Sequence, residues 1–250
     1  MLRIFRDLPW GSLRLLVFDL DGTLIDSRRD ICNSVNAALI HSGLQELPDE
    51  VIAGHIGDGA GMLIRRALAE FPEGQEASVG TPGAPDDTLF DSAFRYFLDY
   101  YRAHKLDFTR CYPGVLEALE ELKTAPDGRP RQMAVLTNKP VGPARAICEG
   151  LGLSPFFFRV YGGDSFIAKK PDSMGLQTLM AEAGVTAEET LMIGDSDVDV
   201  RTARNAGAWV LGCTFGLSPE TVEAAGPDAL VDVASEWTSA LGVTVEEKKF

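Results

Sequence analysis

The sequence predicts an α/β fold in which a parallel sheet, covered by helices on both faces, is interrupted once by an all-helical insertion. Three observations predict it. Five short apolar runs are continuous rather than alternating, as expected of strands buried on both faces. Helix-periodic segments follow most of them, and strand–helix alternation implies parallel strands joined by right-handed crossovers. Finally, a long interval between the first two runs carries helical periodicity and no convincing strand.

In chain order, the first run is Leu15–Phe18, which ends at Asp19. The interval from Asp26 to about Phe108 then repeats apolar residues at helical spacing: Ile31, Val35, Ala38, Leu39; Leu63, Ile64, Ala67, Leu68; Phe94, Phe97, Leu98, Tyr101. About 80 residues of this kind suffice for a small bundle of their own. Within it, Pro72–Asp87 is rich in Pro and Gly and reads as a long exposed loop. Gly57-Asp58-Gly59-Ala60-Gly61 departs from a dinucleotide-binding fingerprint and follows no strand, so it reads as the opening of a helix. The remaining strands are Met133–Leu136, Phe158–Tyr161, Leu191–Ile193 and Trp209–Leu211, with helices over Gly114–Lys123, Gly142–Gly150, Ser173–Ala183 and Asp197–Ala206. The expected architecture is a Rossmann-like parallel-sheet core (residues 1–24 and 108–250) with an inserted α-helical cap domain (residues 25–107).

Composition narrows the function. The 250 residues hold 23 Lys+Arg against 37 Asp+Glu, a net charge of −14, which argues against a general nucleic-acid binder and against docking on an anionic membrane. An apolar content of 45% and a charged content of 24% exclude disorder throughout. No stretch approaches 18 uninterrupted apolar residues, so no membrane span is expected. Arg3, Arg6, Asp7 and Arg14 break any signal-peptide apolar region. The four cysteines form no CxxC pair and there are three histidines, which supplies a zinc site poorly and fits a reducing cytoplasm.

The chemistry-bearing residues fall where strands end, the edge at which open parallel sheets bind ligands. Asp19-Leu20-Asp21-Gly22-Thr23 follows the first strand. Its two carboxylates could share a divalent cation, or one could attack an electrophile while the other moves protons. A helix-capping turn uses the same residue types. Thr137-Asn138-Lys139-Pro140 offers a hydroxyl and backbone N–H groups to a phosphate oxygen, or a Ser/Thr turn closed by Pro. Lys170, in Lys169-Lys170-Pro171, could neutralise a phosphoryl group as a point charge. Gly194-Asp195-Ser196-Asp197-Val198-Asp199 supplies three alternating acids, enough to complete a Mg²⁺ site or cap a helix. Jointly these are the parts of phosphoryl transfer: nucleophile, proton shuttle, metal ligands and charge stabilisers.

With these motifs in place, the chain resembles the haloacid dehalogenase superfamily, whose four motifs match Asp19-Leu20-Asp21-Gly22-Thr23, Thr137-Asn138, Lys170-Pro171 and Gly194-Asp195. Within it, the branch most similar is that of the phosphoglycolate phosphatases, through Ile56-Gly57-Asp58-Gly59-Ala60, Arg66-Ala67-Leu68, Tyr112-Pro113-Gly114-Val115, Thr137-Asn138-Lys139-Pro140 and Gly162-Gly163-Asp164. The resemblance implies Mg²⁺-dependent hydrolysis of a small phosphomonoester, 2-phosphoglycolate foremost, through an aspartyl-phosphate. It casts Asp19 as nucleophile and Asp21 as general acid and base. Thr137, Asn138 and Lys170 become the phosphate-binding groups. The metal falls to Asp19, the main-chain carbonyl of Asp21, and Asp195, while Asp199 supports Lys170 or metal-bound water. A small phosphorylated metabolite is the expected partner, with the chain a monomer or homodimer.

One departure stands out: many relatives continue the Lys-Pro motif with His-Pro, whereas this chain has Asp172-Ser173. Alternatives on the same fold separate by residue. Asp21 disfavours dehalogenation, since a halide needs no proton, and the lack of any lysine before Lys105 removes the cap Schiff base of a phosphonate-cleaving relative. A sugar-phosphate mutase shares the four motifs. A receiver-like phospho-acceptor module is disfavoured by the large insertion, which would cover a site that a receiver keeps open. Arg28, Arg29, Arg65 and Arg66 are candidates to hold a substrate carboxylate bidentately, but solvated helix faces use arginine in the same way.

Overall fold

The structure, a computed structural model, describes residues 1–71 and 87–242. The chain divides into two compact units, Met1–Asp26 with Arg110–Phe250, and Ser27–Thr109. The Pro/Gly-rich stretch expected to be a loop lies outside the described residues, except for Asp87, which opens a helix. No helix among the described residues is long and apolar enough to cross a membrane.

The first unit is built on a seven-stranded sheet. In chain order its strands are β1 (Arg3–Ile4), β2 (Leu15–Phe18), β5 (Gln132–Leu136), β6 (Arg159–Tyr161), β7 (Thr190–Gly194), β8 (Trp209–Cys213) and β9 (Ala229–Val231). A separate ribbon pairs β3 (Ile25–Asp26) with β4 (Arg110–Cys111). The sheet order is β1-β9-β8-β7-β2-β5-β6, parallel except at β1, which pairs antiparallel with β9. The fold is therefore α/β, as the continuous apolar runs predict. Leu-Leu-Val-Phe of β2 is buried at every position because β2 is central, with β5 and β7 hydrogen-bonded on either side.

Around this sheet lie α5 (Val115–Leu122), α6 (Val141–Gly150), α7 (Met174–Ala183), α8 (Asp197–Ala206), α9 (Pro219–Ala224) and α10 (Glu236–Ala240). One core cluster joins Leu15 and Val17 of β2 to Leu176 and Leu179 of α7 and to Val200 and Ala203 of α8. Elsewhere Phe18 meets Trp237, with ring centroids 5.4 Å apart, and Phe157 at 6.0 Å. Full burial of such side chains stabilises by about 1.5–3 kcal/mol each, which fixes the central strands and hence the residues at their ends.

The second unit holds α1 (Arg28–His41), α2 (Asp49–Ala53), α3 (Ala60–Ala69) and α4 (Asp87–His104). The helical spacings mark its buried faces: Ile31, Val35, Ala38 and Leu39 on α1, Leu63, Ile64 and Ala67 on α3, Phe97 and Tyr101 on α4. The glycine-rich Gly57–Gly61 stretch does open α3. Buried Asp30 accepts hydrogen bonds from the backbone N–H of Phe108 and from the N–H and hydroxyl of Thr109, joining the start of α1 to the end of the unit.

Candidate active site

Three adjacent parallel strands, β5, β2 and β7, run side by side and end together. Their carboxyl ends deliver Thr137, Asp19 and Asp195. The backbone continues the ladder one residue further, since Asp19 N–H donates to Ile193 C=O at 2.9 Å and Thr137 N–H to Tyr161 C=O at 3.0 Å. The motifs dispersed along the chain therefore converge on one sheet edge.

On one side of this edge is a cluster of acids around one lysine. Carboxylate oxygens of Asp19, Asp195 and Asp199 all lie within 4.8 Å of one another. Lys170 Nζ sits 2.8 Å from Asp19 Oδ1 and donates to Asp199 Oδ1 at 2.6 Å. Asp19 Oδ1 makes that ion pair without a directed hydrogen bond. Asp199 is held from the other side, its Oδ2 accepting from the Ser196 hydroxyl at 2.7 Å and from Ser196 N–H at 3.2 Å, the capping box of α8. Asp195 accepts from Leu217 N–H at 2.7 Å and from the Thr23 hydroxyl at 3.2 Å.

Glycine makes this packing possible. Gly22 has φ +84°, and a Cβ there would collide with the Asp195 carboxylate. A Cβ at Gly216 would strike both Asp195 and the carbonyl oxygen of Gly22.

The electrostatics follow from burial. Desolvation pushes the Asp19 carboxyl up to about 6; Lys170 pulls it down, while the charges of Asp199 and Asp21 push it up. Asp195 is held well above the usual carboxylate range, first by burial and then by Asp19 and Asp199. Burial alone would lower the Lys170 ammonium, but Asp19 and Asp199 together hold it above its ordinary value. Three acids face one lysine, and that surplus of negative charge, made of hard oxygen donors, suits a divalent cation.

On the other side, Lys139 Nζ donates to both oxygens of Asp21, each at 2.8 Å. Lys139 N–H donates to Thr137 Oγ1 at 3.2 Å, and Asn138 Nδ2 donates to Lys170 C=O at 3.0 Å, so the turn after β5 is tied to the lysine motif. The Gly162-Gly163-Asp164 stretch braces this turn. Gly163 N–H donates to Lys139 C=O at 2.9 Å, Asp164 Oδ1 accepts from Val141 N–H at 2.7 Å, and a Cβ on either glycine would hit the backbone of residues 138–141.

The structure thus brings Asp19, Asp195, Asp199 and Lys170 together, places Asp21 on Lys139, and buries Thr137 and Asn138 on the adjoining turn. Asp172, at the departure from the Lys-Pro-His-Pro pattern, accepts from Met174 N–H at 2.8 Å and opens α7. Lys139 and Thr23 lie within the sequence motifs, but their contacts with Asp21 and Asp195 emerge only in the fold. The cationic residue directly after Thr137-Asn138 at a strand end was the available signal for Lys139. Arg29, Arg65 and Arg66 are engaged within their own unit. Arg29 lies over Phe108 at 3.7 Å, Arg65 over Phe90 at 4.0 Å, and Arg66 bonds Asp58 at 2.5 Å.

The family model described as haloacid dehalogenase-like hydrolase matches residues 16–213. The phosphoglycolate phosphatase of Rhodospirillum rubrum is 37% identical over 219 residues, covering 88% of this chain and 87% of that protein. That of Vibrio parahaemolyticus serotype O3:K6 is 35% identical over 234 residues, covering 93% and 98%. A crystal structure of a predicted phosphoglycolate phosphatase from Haemophilus somnus 129pt superposes with a TM-score of 0.80 at 30% identity, covering 92% of this chain and 98% of that one. Phosphatase activity follows from these relatives together with the family match, and the chain belongs to the haloacid dehalogenase-like hydrolases.

Proposed function

We propose that this phosphatase hydrolyses small phosphomonoesters with Mg²⁺, 2-phosphoglycolate foremost, through a phosphoryl group carried transiently on Asp19. The observation that carries the reading is the position of Asp19. It stands at the end of the central strand, in contact with Lys170 and beside Asp195 and Asp199, and the carboxylate of Asp21 follows two residues on.

Asp19 attacks phosphorus through a carboxylate oxygen while the ester P–O bond breaks, and Asp21 gives its proton to the leaving alkoxide. Asp21 then takes a proton from the water that attacks the phosphoryl group, the Asp19–phosphorus bond breaks, and inorganic phosphate leaves. Thr137, Asn138 and Lys170 bind the transferring oxygens, with Lys170 held for this by Asp199. Asp19, the main-chain carbonyl of Asp21, and Asp195 would hold the cation. When bound, it neutralises charge on the phosphoryl oxygens. The substrate name rests on the phosphoglycolate phosphatases that this chain resembles. The free thiols of Cys32, Cys111, Cys148 and Cys213 fit a cytoplasmic setting.

The test is phosphate release from 2-phosphoglycolate and from a panel of sugar, nucleotide and amino-acid phosphates, with Mg²⁺ and with EDTA. A metal-dependent rate that is highest on 2-phosphoglycolate is expected. A faster rate on another ester would keep the mechanism and replace the substrate. Interconversion of glucose 1- and 6-phosphates without phosphate release would replace hydrolysis by a mutase reaction.

A further inference from the structure

We infer that Lys139 is a positioning residue for Asp21, fixing the carboxylate that moves protons to and from the leaving oxygen; the assignment rests on the reading of Asp21 given above. Lys139 Nζ contacts both Asp21 oxygens at 2.8 Å, and the two side chains are only 6% and 12% exposed. The lysine is itself anchored from behind. Its N–H is on Thr137 Oγ1, its C=O accepts from Gly163 N–H, and Pro140 follows it into α6.

The two lysines of the site contact different acids. Lys170 contacts Asp19 and Asp199, whereas Lys139 contacts Asp21. An enclosed ion pair contributes little net stability once desolvation is counted, so stability alone does not account for a lysine here. Orientation does. A carboxylate gripped by both oxygens from a braced turn cannot rotate toward Lys170, and it stays aimed from the end of its own strand. Because Lys139 acts through Asp21, its contribution belongs to substrates whose leaving group needs a proton.

The experiment compares kcat/KM for 2-phosphoglycolate, whose alkoxide must be protonated, with that for 4-nitrophenyl phosphate, whose phenolate leaves unaided. This parameter reports only the steps up to loss of the alcohol, so the shared hydrolysis of the intermediate drops out. Lys139→Met is expected to lower kcat/KM about 30- to 100-fold on 2-phosphoglycolate and less than about 3-fold on the aryl ester. Lys139→Gln, which keeps an N–H donor, gives the same selectivity at smaller size and serves if the methionine variant folds poorly. In an Asp21→Asn background, adding Lys139→Met should change either rate by less than about 3-fold. Equal losses on the two esters, or an undiminished loss in the Asp21→Asn background, would overturn the assignment and leave the proposed function standing. A wild-type protein that cleaves neither ester with Mg²⁺ present would overturn both.

Discussion

The same sheet buries acid at both of its ends, with opposite consequences. At the carboxyl edge, Asp19, Asp195 and Asp199 crowd around Lys170, and the first two are pushed above the ordinary carboxylate range. At the amino edge, where β8 and β9 begin, Asp228 is fully buried, but it accepts from Arg6 and Arg204, each at 2.8 Å, and from Val210 N–H at 2.9 Å. Arg6 also lies over the Trp209 ring at 4.7 Å. One acid with two arginines is compensated and holds elements together. Three acids with one lysine are not compensated, and a surplus of that kind suits a cation.

The comparison can be broken most sharply by neutralising one acid at each end. Asp19→Asn removes the proposed nucleophile and should lower kcat/KM on the preferred ester by at least about 10⁴-fold. The metal-free melting temperature at pH 7.5 should equal or exceed that of wild type, because a crowded charge has gone. Asp228→Asn takes the buried acceptor from two arginines that can rehydrate, and should cost about 1.5–3 kcal/mol in denaturant unfolding. Its kcat/KM, measured where the variant is folded, should stay within about 3-fold of wild type. A catalytic loss at Asp228, or a large destabilisation at Asp19, would erase the distinction.

Thr23→Val removes the hydroxyl that donates to Asp195 and should weaken Mg²⁺ activation about 10- to 100-fold, with kcat at saturating Mg²⁺ little altered. The smallest effect is the pH dependence. The Asp19 carboxyl titrates at about 6 in the metal-free fold, against 3.8 for an unperturbed group, so the folded chain binds that proton more readily than the unfolded one. This group therefore favours the metal-free fold as pH falls from 6 toward 4, opposite in sign to a salt-bridged acid of lowered pKa. Mg²⁺ competes with the same proton, so its affinity should fall about tenfold per pH unit below 6, as titrations of Mg²⁺ activation at several pH values would reveal.

Much of this site was legible because Asp19 and Thr137 directly follow a continuous apolar run and Asp195 follows one after a single glycine. Where a run of buried strand residues stops, the next side chain stands at the sheet edge, and parallel pairing then gathers those edges. The pairings among the side chains were not legible, because Lys139 and Asp21 lie 118 positions apart and meet only through the β2–β5 register. Strands β1 and β9 also gave no signal. Arg3–Ile4 is too short to show a period, and Ala229–Val231 is a three-residue run directly after Pro227-Asp228. Asp228 belongs to none of the sequence motifs, and the folded contacts of Arg6 and Arg204 reveal its role.

Thermal melting against MgCl₂ concentration for wild type, Asp195→Asn and Asp228→Asn decides whether the surplus of acid at the carboxyl edge is a cation site. A ligand that binds only the folded state raises the melting temperature by mass action even when its affinity is modest. A rise with Mg²⁺ is expected in wild type, with a parallel rise from a lower starting point in Asp228→Asn and a flat response in Asp195→Asn. A wild type indifferent to Mg²⁺, or an Asp195→Asn response as steep as that of wild type, would contradict a cation site there.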